Sequence, residues 1–276
     1  MNIFYAKKTF FLSSLFLWNC LLFAQNGCWK QVAAGISETI ALKNDGTLWS
    51  WGNNMFGQLG NGTFTNTNTP GQIGSANDWK EVYCRYSTVI AIKNDGTLWS
   101  WGDNSSGKLG NGTTTNTNTP SQIGTDNDWK QVSIGYMTVY AIKNDGTLWG
   151  WGEGYNFNGS GVSYYPMQMQ TEVLWKKVAN GYLNAFAIKI DGTLWAWGNN
   201  GSGIIGIGST IPNTLYVPTQ IGTSDTWKHI SNYQGHVTAI RNDNTLWAWG
   251  VNNNGQLGNG TTTISMSPIQ IGNESN

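Results

Sequence analysis

Between Ile40 and Gly52, bulky and small side chains alternate with a period of two. The run Ile40, Ala41, Leu42 stops at Asn44, Asp45 and Gly46, then resumes as Leu48, Trp49, Ser50, Trp51. A period of two sends successive side chains to opposite faces of a strand. Asp-Gly between two such runs is a strong hairpin signal. A two-residue turn at Asp45 and Gly46 predicts that Leu42 faces Trp49, Ala41 faces Ser50 and Ile40 faces Trp51. On that register Ile40, Leu42, Trp49 and Trp51 share one bulky face, and Ala41 and Ser50 share the small one.

The pattern recurs. AIKNDGTLWSWG ends at Gly102, AIKNDGTLWGWG at Gly152, AIKIDGTLWAWG at Gly198 and AIRNDNTLWAWG at Gly250. Trp29, Trp79, Trp129, Trp175 and Trp227 each open a unit, at spacings of 50, 50, 46 and 52 residues. A fixed period of this length is the mark of a repeat architecture. Each unit reads as four strands. The first is a short WKQV-like run, the hairpin supplies two, and a Gly-, Asn- and Thr-rich loop leads to a brief QIG strand such as Gln72 to Gly74. A sheet with one bulky and one small face stacks on a copy of itself, and stacking around an axis gives a β-propeller. The chain therefore reads as all-β, a propeller of five four-stranded antiparallel blades at about 29–78, 79–128, 129–174, 175–226 and 227–276. Together they make one domain over 25–276. Both hairpin tryptophans are expected in the core, and the first strand is expected to meet the last unit and close the ring. A monomer follows from closure, and an oligomer follows if the ring is incomplete.

The first 24 residues break the pattern. Lys7 and Lys8 precede an almost wholly apolar run from Thr9 to Ala24, and Gln25 begins a polar chain. This reads as a secretory signal peptide cleaved near Ala24. The apolar run is short for a membrane span of ~20 residues. A lipoprotein signal at Cys20 is the other reading. Export places the protein outside the cell, on its surface or in a periplasm, with no membrane association after cleavage. It would also permit a disulfide between Cys28 and Cys84, but their places in the repeats give no geometric case for one.

Charge narrows the partners. Fifteen Lys and Arg balance fifteen Asp and Glu, so no basic surface is available to neutralise nucleic-acid phosphates. Catalytic chemistry is thinly supplied. The two histidines, His229 and His236, belong to no metal-ligand pattern, and no nucleophile elbow or phosphate loop appears. The repeated Asp45, Asp95, Asp145, Asp191 and Asp243 sit where turns favour Asp. Neither catalytic residues, cofactor nor metal is expected. The Asn-Gly-Thr triplets at Asn61, Asn111 and Asn259 match a glycosylation acceptor, in loops where turns already demand Asn and Gly.

WGNNMFGQLGNG (Trp51 to Gly62), WGDNSSGKLGNG (Trp101 to Gly112) and WGVNNNGQLGNG (Trp249 to Gly260) resemble the signature of the regulator of chromosome condensation repeat family. The resemblance covers all five units and implies four-stranded blades, usually seven to a ring. The family's histidine falls on Glu38, Thr88, Thr138, Asn184 and His236, so only the last unit keeps it. The third unit loses GQLG, and the fourth reads GSGIIGIG from Gly201. The family's eukaryotic namesake is an exchange factor for a small GTPase. By that analogy a GTPase regulator is one alternative function, and an enzyme at the propeller mouth is another.

Positions that vary among repeats are free to serve a partner. The loop into the hairpin reads AAGISET, YCRYSTV, SIGYMTV, ANGYLNA and SNYQGHV. Tyr86, Tyr136 and Tyr182 share one position there, and Tyr233 neighbours it in the last unit. With Glu38, Arg85, Met137, Asn184 and His236 they form the candidate partner-binding set, because Tyr and Arg are favoured in binding hot spots. Blade symmetry gathers these loops at one end of the axis, where the tyrosines either recognise a partner or plug the channel. The expected function is an exported, non-catalytic scaffold that binds a protein or glycan.

Overall fold

The computed structural model describes residues 27–154, 161–169 and 174–272. The leader, with Lys7, Lys8 and Cys20, lies outside them, as does part of the third loop. Twenty strands form five four-stranded antiparallel sheets. The first holds β1 (Trp29–Ala34), β2 (Glu38–Lys43), β3 (Leu48–Gly52) and β4 (Thr67–Gln72). The second holds β5 (Trp79–Arg85), β6 (Thr88–Lys93), β7 (Leu98–Gly102) and β8 (Thr117–Gln122). The third holds β9 (Trp129–Ile134), β10 (Thr138–Lys143), β11 (Leu148–Glu153) and β12 (Val162–Gln168). The fourth holds β13 (Trp175–Asn180), β14 (Asn184–Lys189), β15 (Leu194–Asn199) and β16 (Thr214–Gln220). The fifth holds β17 (Trp227–Asn232), β18 (His236–Arg241), β19 (Leu246–Gly250) and β20 (Ser265–Ile271). Each sheet is a propeller blade with its strands in sequence order. Among the described residues no helix is long and apolar enough to cross a membrane.

The hairpin register differs from the expectation by one residue. Leu42 pairs with Leu48, Ala41 with Trp49 and Ile40 with Ser50. The loop has three residues, closed by Lys43 N donating to Thr47 O at 3.0 Å and Gly46 N donating to Lys43 O at 3.1 Å. Gly46 has φ of 81°, while Asp45 is absent from the positive-φ residues. A two-residue turn would need both to be positive. The Asp45 side chain decides between them. Its Oδ1 accepts from Thr47 N at 3.0 Å and from Thr47 Oγ1 at 2.7 Å. Thr47 Oγ1 in turn accepts from Trp49 Nε1 at 2.9 Å. The same relay recurs at Asp95, Asp145, Asp191 and Asp243.

A slip of one residue in pairing changes which side chains share a face. The real faces are Ile40, Leu42 and Leu48 on one side, and Ala41, Trp49 and Trp51 on the other. Blades stack aliphatic face on tryptophan face. Ile40, Leu42, Leu48 and Ile73 of the first blade pack on Trp79, Val82, Ala91 and Trp101 of the second. The next three junctions repeat this arrangement.

The two hairpin tryptophans also part company. Trp101, Trp151, Trp197 and Trp249 are at most 1% exposed. The first of each pair is only half-buried, so the expectation that both are core holds for one. The half-buried indole is covered by a cation from its own hairpin. Lys43, Lys93, Lys143, Lys189 and Arg241 lie 3.4 to 4.5 Å from the ring centres of Trp49, Trp99, Trp149, Trp195 and Trp247.

The expected closure is not observed. Trp29 is 49% and Val32 is 66% exposed, whereas their counterparts Trp79 and Val82 are 3% and 1%. At the other end Leu246 is 40% exposed, against 0% for Leu48. The first strand therefore does not pack on the last blade, and the two end faces are left open.

Two predictions follow from this packing. Trp101→Ala removes a fully buried indole and should cost ~3–5 kcal/mol in chemical denaturation, while Trp99→Ala should cost clearly less. Equal losses would contradict the division between the two positions.

The second concerns acid. The Thr147 hydrogen bonds hold the Asp145 carboxyl below its ordinary pKa of 3.8, and those of Thr47 do the same for Asp45. A depressed folded pKa means stability that is full above the unfolded value of about 3.9 and is lost as pH falls through the folded one. Thermal midpoints should therefore drop below pH 4. Asp145→Asn should show a shallower drop than the wild type in melts compared at pH 7 and pH 3.

Candidate functional site

The loops between the first and second strands of each blade meet at one end of the axis. In the second blade the turn is Tyr86 and Ser87, both in the left-handed region at φ of 50° and 58°. Neither is glycine, so the turn carries strain of ~1–2 kcal/mol per residue. It sets Arg85 at the end of β5, a place taken by Gly35, Gly135 and Gly181 in three other blades. Those glycines are required by close approach: a Cβ at Gly135 would stand 2.6 Å from the Asn180 side chain.

Arg85 reaches across the axis. Its Nη1 donates to the carbonyls of Ile134 at 3.2 Å and Asn180 at 2.5 Å, in the third and fourth blades. Its guanidinium carbon lies 5.3 Å from the Tyr86 ring centre and 5.0 Å from that of Tyr233, in the fifth blade. One side chain thus ties four blades together.

The tyrosines continue the cluster. Tyr86 meets Tyr136 edge-on at 5.3 Å, and Tyr136 stacks on Tyr182 at 4.4 Å. Both sequence readings are partly realised. Tyr86 packs inward, and burial raises its hydroxyl pKa to about 12 despite the opposing charge of Arg85. Tyr136 and Tyr233 are 40% and 48% exposed and face outward.

Four candidates fall elsewhere. Glu38 is 3% exposed and does not belong to the open surface. It accepts from Ser37 N at 3.1 Å, and Cys84 Sγ of the next blade lies 3.4 Å away. Asn184, 6% exposed, accepts from Asn232 Nδ2 at 3.2 Å. The third blade's Thr138 likewise receives Asn180 Nδ2 at its carbonyl, at 2.9 Å. In the first, third and fourth blades the position of the family histidine is therefore a tie to a neighbouring blade, whereas Thr88 Oγ1 donates within its own blade to Asp103 O at 2.8 Å. His236 and Met137 are half-buried beside the cluster. A cleft of about 20 Å³ next to Tyr182 and Met137 has room for one water only.

Beneath Tyr86 lies a charged pair that the sequence reading missed. Lys108 is 2% exposed and pairs with Asp103 at 3.2 Å. Burial lowers its pKa, and Asp103 opposes that shift. The signal was available, since Lys108 stands where GQLG has Gln58 and Gln256. Burial and the neighbouring Glu38 push the Cys84 thiol well above its ordinary pKa. Cys28 and Cys84 form no disulfide. Among the described residues no three His, Cys, Asp or Glu side chains gather to hold a metal.

Asn61, Asn111 and Asn259 each accept from the N–H of the threonine two residues on. Their side chains shape the loops.

Arg85→Ala should cost ~1.5–3 kcal/mol, the usual worth of hydrogen bonds from a charged group, and should raise amide exchange at the axial ends of β9 and β13. Unchanged exchange there would show that the arginine ties nothing.

Comparison with known proteins places this geometry. The RCC1-like domain profile matches residues 19–276. Human WBSCR16 superposes with a TM-score of 0.78 at 23% identity, over 88% of this chain and 67% of its own. Yeast RCC1 (Prp20), solved with Kap60, gives a TM-score of 0.56 at 17% identity, over 89% of this chain and 75% of its own. The CRINKLY ectodomain of the Arabidopsis thaliana receptor kinase ACR4 gives 0.51 at 15%, over 89% and 67%. At these identities the likeness shows the fold.

Proposed function

The chain belongs to the RCC1-like domain family, and from that premise we propose that it is an exported, non-catalytic scaffold that binds a protein at the tyrosine-lined end of its axis. An RCC1-like propeller supports a binding scaffold or a regulator. Fold alone does not choose the partner. The observation that carries the choice is the cluster of Tyr136, Tyr182, Tyr233 and Arg85. It offers outward aromatic rings that are already held in place by stacking and by the guanidinium. Rings fixed before binding lose little freedom when a partner arrives, and Tyr and Arg are the residues that dominate binding energy.

The non-catalytic reading is supported by how the axial charges are used. Glu38, Lys108 and Asp103 are engaged in ties within and between blades. Export is supported by the leader at 1–24. Solved relatives bind proteins: a structure of Prp20 holds Kap60, and another is described with its binding to Gsp1p and histones. Those relatives are under 25% identical, so their partners are not assigned to this chain.

Capture from the producing organism tests the proposal. Wild-type bait should retain a protein that Tyr136→Ser/Tyr233→Ser bait loses, with circular dichroism unchanged. Equal capture by both baits would remove the binding face from the axis. Loss of the captured species after deglycosylation of the prey would make the ligand a glycan. Mass spectrometry of the mature chain should find an N-terminus near Gln25, and a chain that keeps Met1 would overturn export.

A further inference from the structure

Four junctions in this molecule use the same parts. A tryptophan face lies on the aliphatic face of the blade before it. At three of them the buried indole donates to a loop carbonyl of that blade: Trp101 Nε1 to Gln58 O at 3.0 Å, Trp151 to Lys108 O at 2.7 Å, and Trp249 to Ile204 O at 2.9 Å. Two residues beyond each acceptor stands a glycine that leaves room for the ring. A Cβ at Gly60 would lie 2.7 Å from Trp101 Nε1, one at Gly110 would lie 3.0 Å from Trp151, and one at Gly206 would lie 2.7 Å from Trp249. Side chains of the inner strands add a further tie. Gln31 Nε2 donates to Val82 O at 2.7 Å and Gln131 Nε2 to Val178 O at 3.1 Å.

Both halves of this joint are also present unpaired. The fifth blade has the receiving half. Thr238, Ile240, Leu246 and His229 line an open groove of about 370 Å³. Its loop carries Gln256 and Gly258 at the acceptor and glycine positions. A Cβ at Gly258 would meet only Ile271, at 3.6 Å, so the space that holds an indole in the other loops is open. The first blade has the inserting half. Trp29 and Val32 are exposed, Trp51 is half-buried where its counterparts are buried, and among the described residues it makes no such hydrogen bond.

The geometry points to a second copy of this chain as the occupant: the tryptophan face of one molecule docks on the fifth-blade face of the next, with Trp51 Nε1 donating to Gln256 O. A second copy would continue an interface that the chain already builds at four junctions, three of them with an indole bonded to a loop carbonyl. Within one molecule the two faces do not meet, since Trp29, Val32 and Leu246 all stay exposed. The contact joins unlike surfaces, so it is head-to-tail and leads to a ring or to an extending chain of molecules. An exposed tryptophan-rich face is also the kind of surface that marks an association site.

Sedimentation velocity on the full chain, over a range of concentrations, tests this with two variants. Val32→Asp spoils the inserting face, and Leu246→Asp spoils the receiving face. Both side chains are exposed, so circular dichroism and thermal midpoint should match the wild type. If either variant unfolds, Trp29→Glu and Thr238→Glu serve in its place. The wild type should form species larger than a monomer as concentration rises. Each variant alone should stay monomeric, because a head-to-tail contact needs both faces. An equal mixture should yield one dimer and nothing larger, since each variant keeps the face the other lacks. A wild type that stays monomeric, variants that associate as it does, or a mixture that stays monomeric would each overturn the proposal.

Discussion

Each blade junction is one tryptophan face laid on one aliphatic face, and the rest of the structure depends on that contact. It is mainly a hydrophobic interaction, strong because an indole buries a large area. It is also directional, because the buried indole carries a single N–H that needs an acceptor. The acceptor is a loop carbonyl of the preceding blade. The turn relay of Asp, Thr and half-buried Trp, with a cation over the ring, holds the hairpin so that the deeper tryptophan arrives at its place. The same two faces, left without a partner at the ends of the series, are the exposed ones.

The third and fourth blades show how strictly the joint is kept. The third unit lacks the GQLG sequence, and there the next blade's Trp197 uses a different partner from the third blade's own strand. Its Nε1 donates to the Tyr140 hydroxyl at 3.0 Å. Tyr140 replaces the Ile40 and Ile90 of earlier blades, and Gly150 replaces Ser50 and Ser100. A Cβ at Gly150 would stand 2.8 Å from the Tyr140 ring. In the earlier blades those serines tie the GQLG loop down, at 2.7 Å to Leu59 O and Leu109 O. In the third blade the absence of that serine side chain leaves room for the Tyr140 ring, whose hydroxyl accepts from Trp197. Lys108 and Asp103 show the opposite case, a substitution in an intact loop that brings its own counter-charge.

The axial end combines structure and recognition in the same side chains. Arg85 joins four blades while holding Tyr86 and Tyr233. A position that varies among repeats is thus free of the blade scaffold, but it is not free of packing. Glu38 and Asn184 illustrate this, since both were expected to face a partner and both tie adjacent blades. The outward rings of Tyr136 and Tyr233 are what the packing leaves available.

The sequence by itself determined the repeat, the four strands of each blade, the all-β propeller and the end of the axis where the variable loops gather. Those follow from local alternation and a fixed period, which a chain displays without being folded. Tertiary structure decided the rest. The hairpin register turned on one hydrogen-bonded carboxylate, Asp45, because a three-residue loop that uses the side chain competes closely with a two-residue loop that does not. Which tryptophan is buried depended on that register. Glu38 was buried by the neighbouring Cys84 and Ser87, residues about fifty positions away, and nothing in its own repeat records them. Closure depends on where the whole series of blades leaves Trp29 relative to Leu246, which no single repeat records.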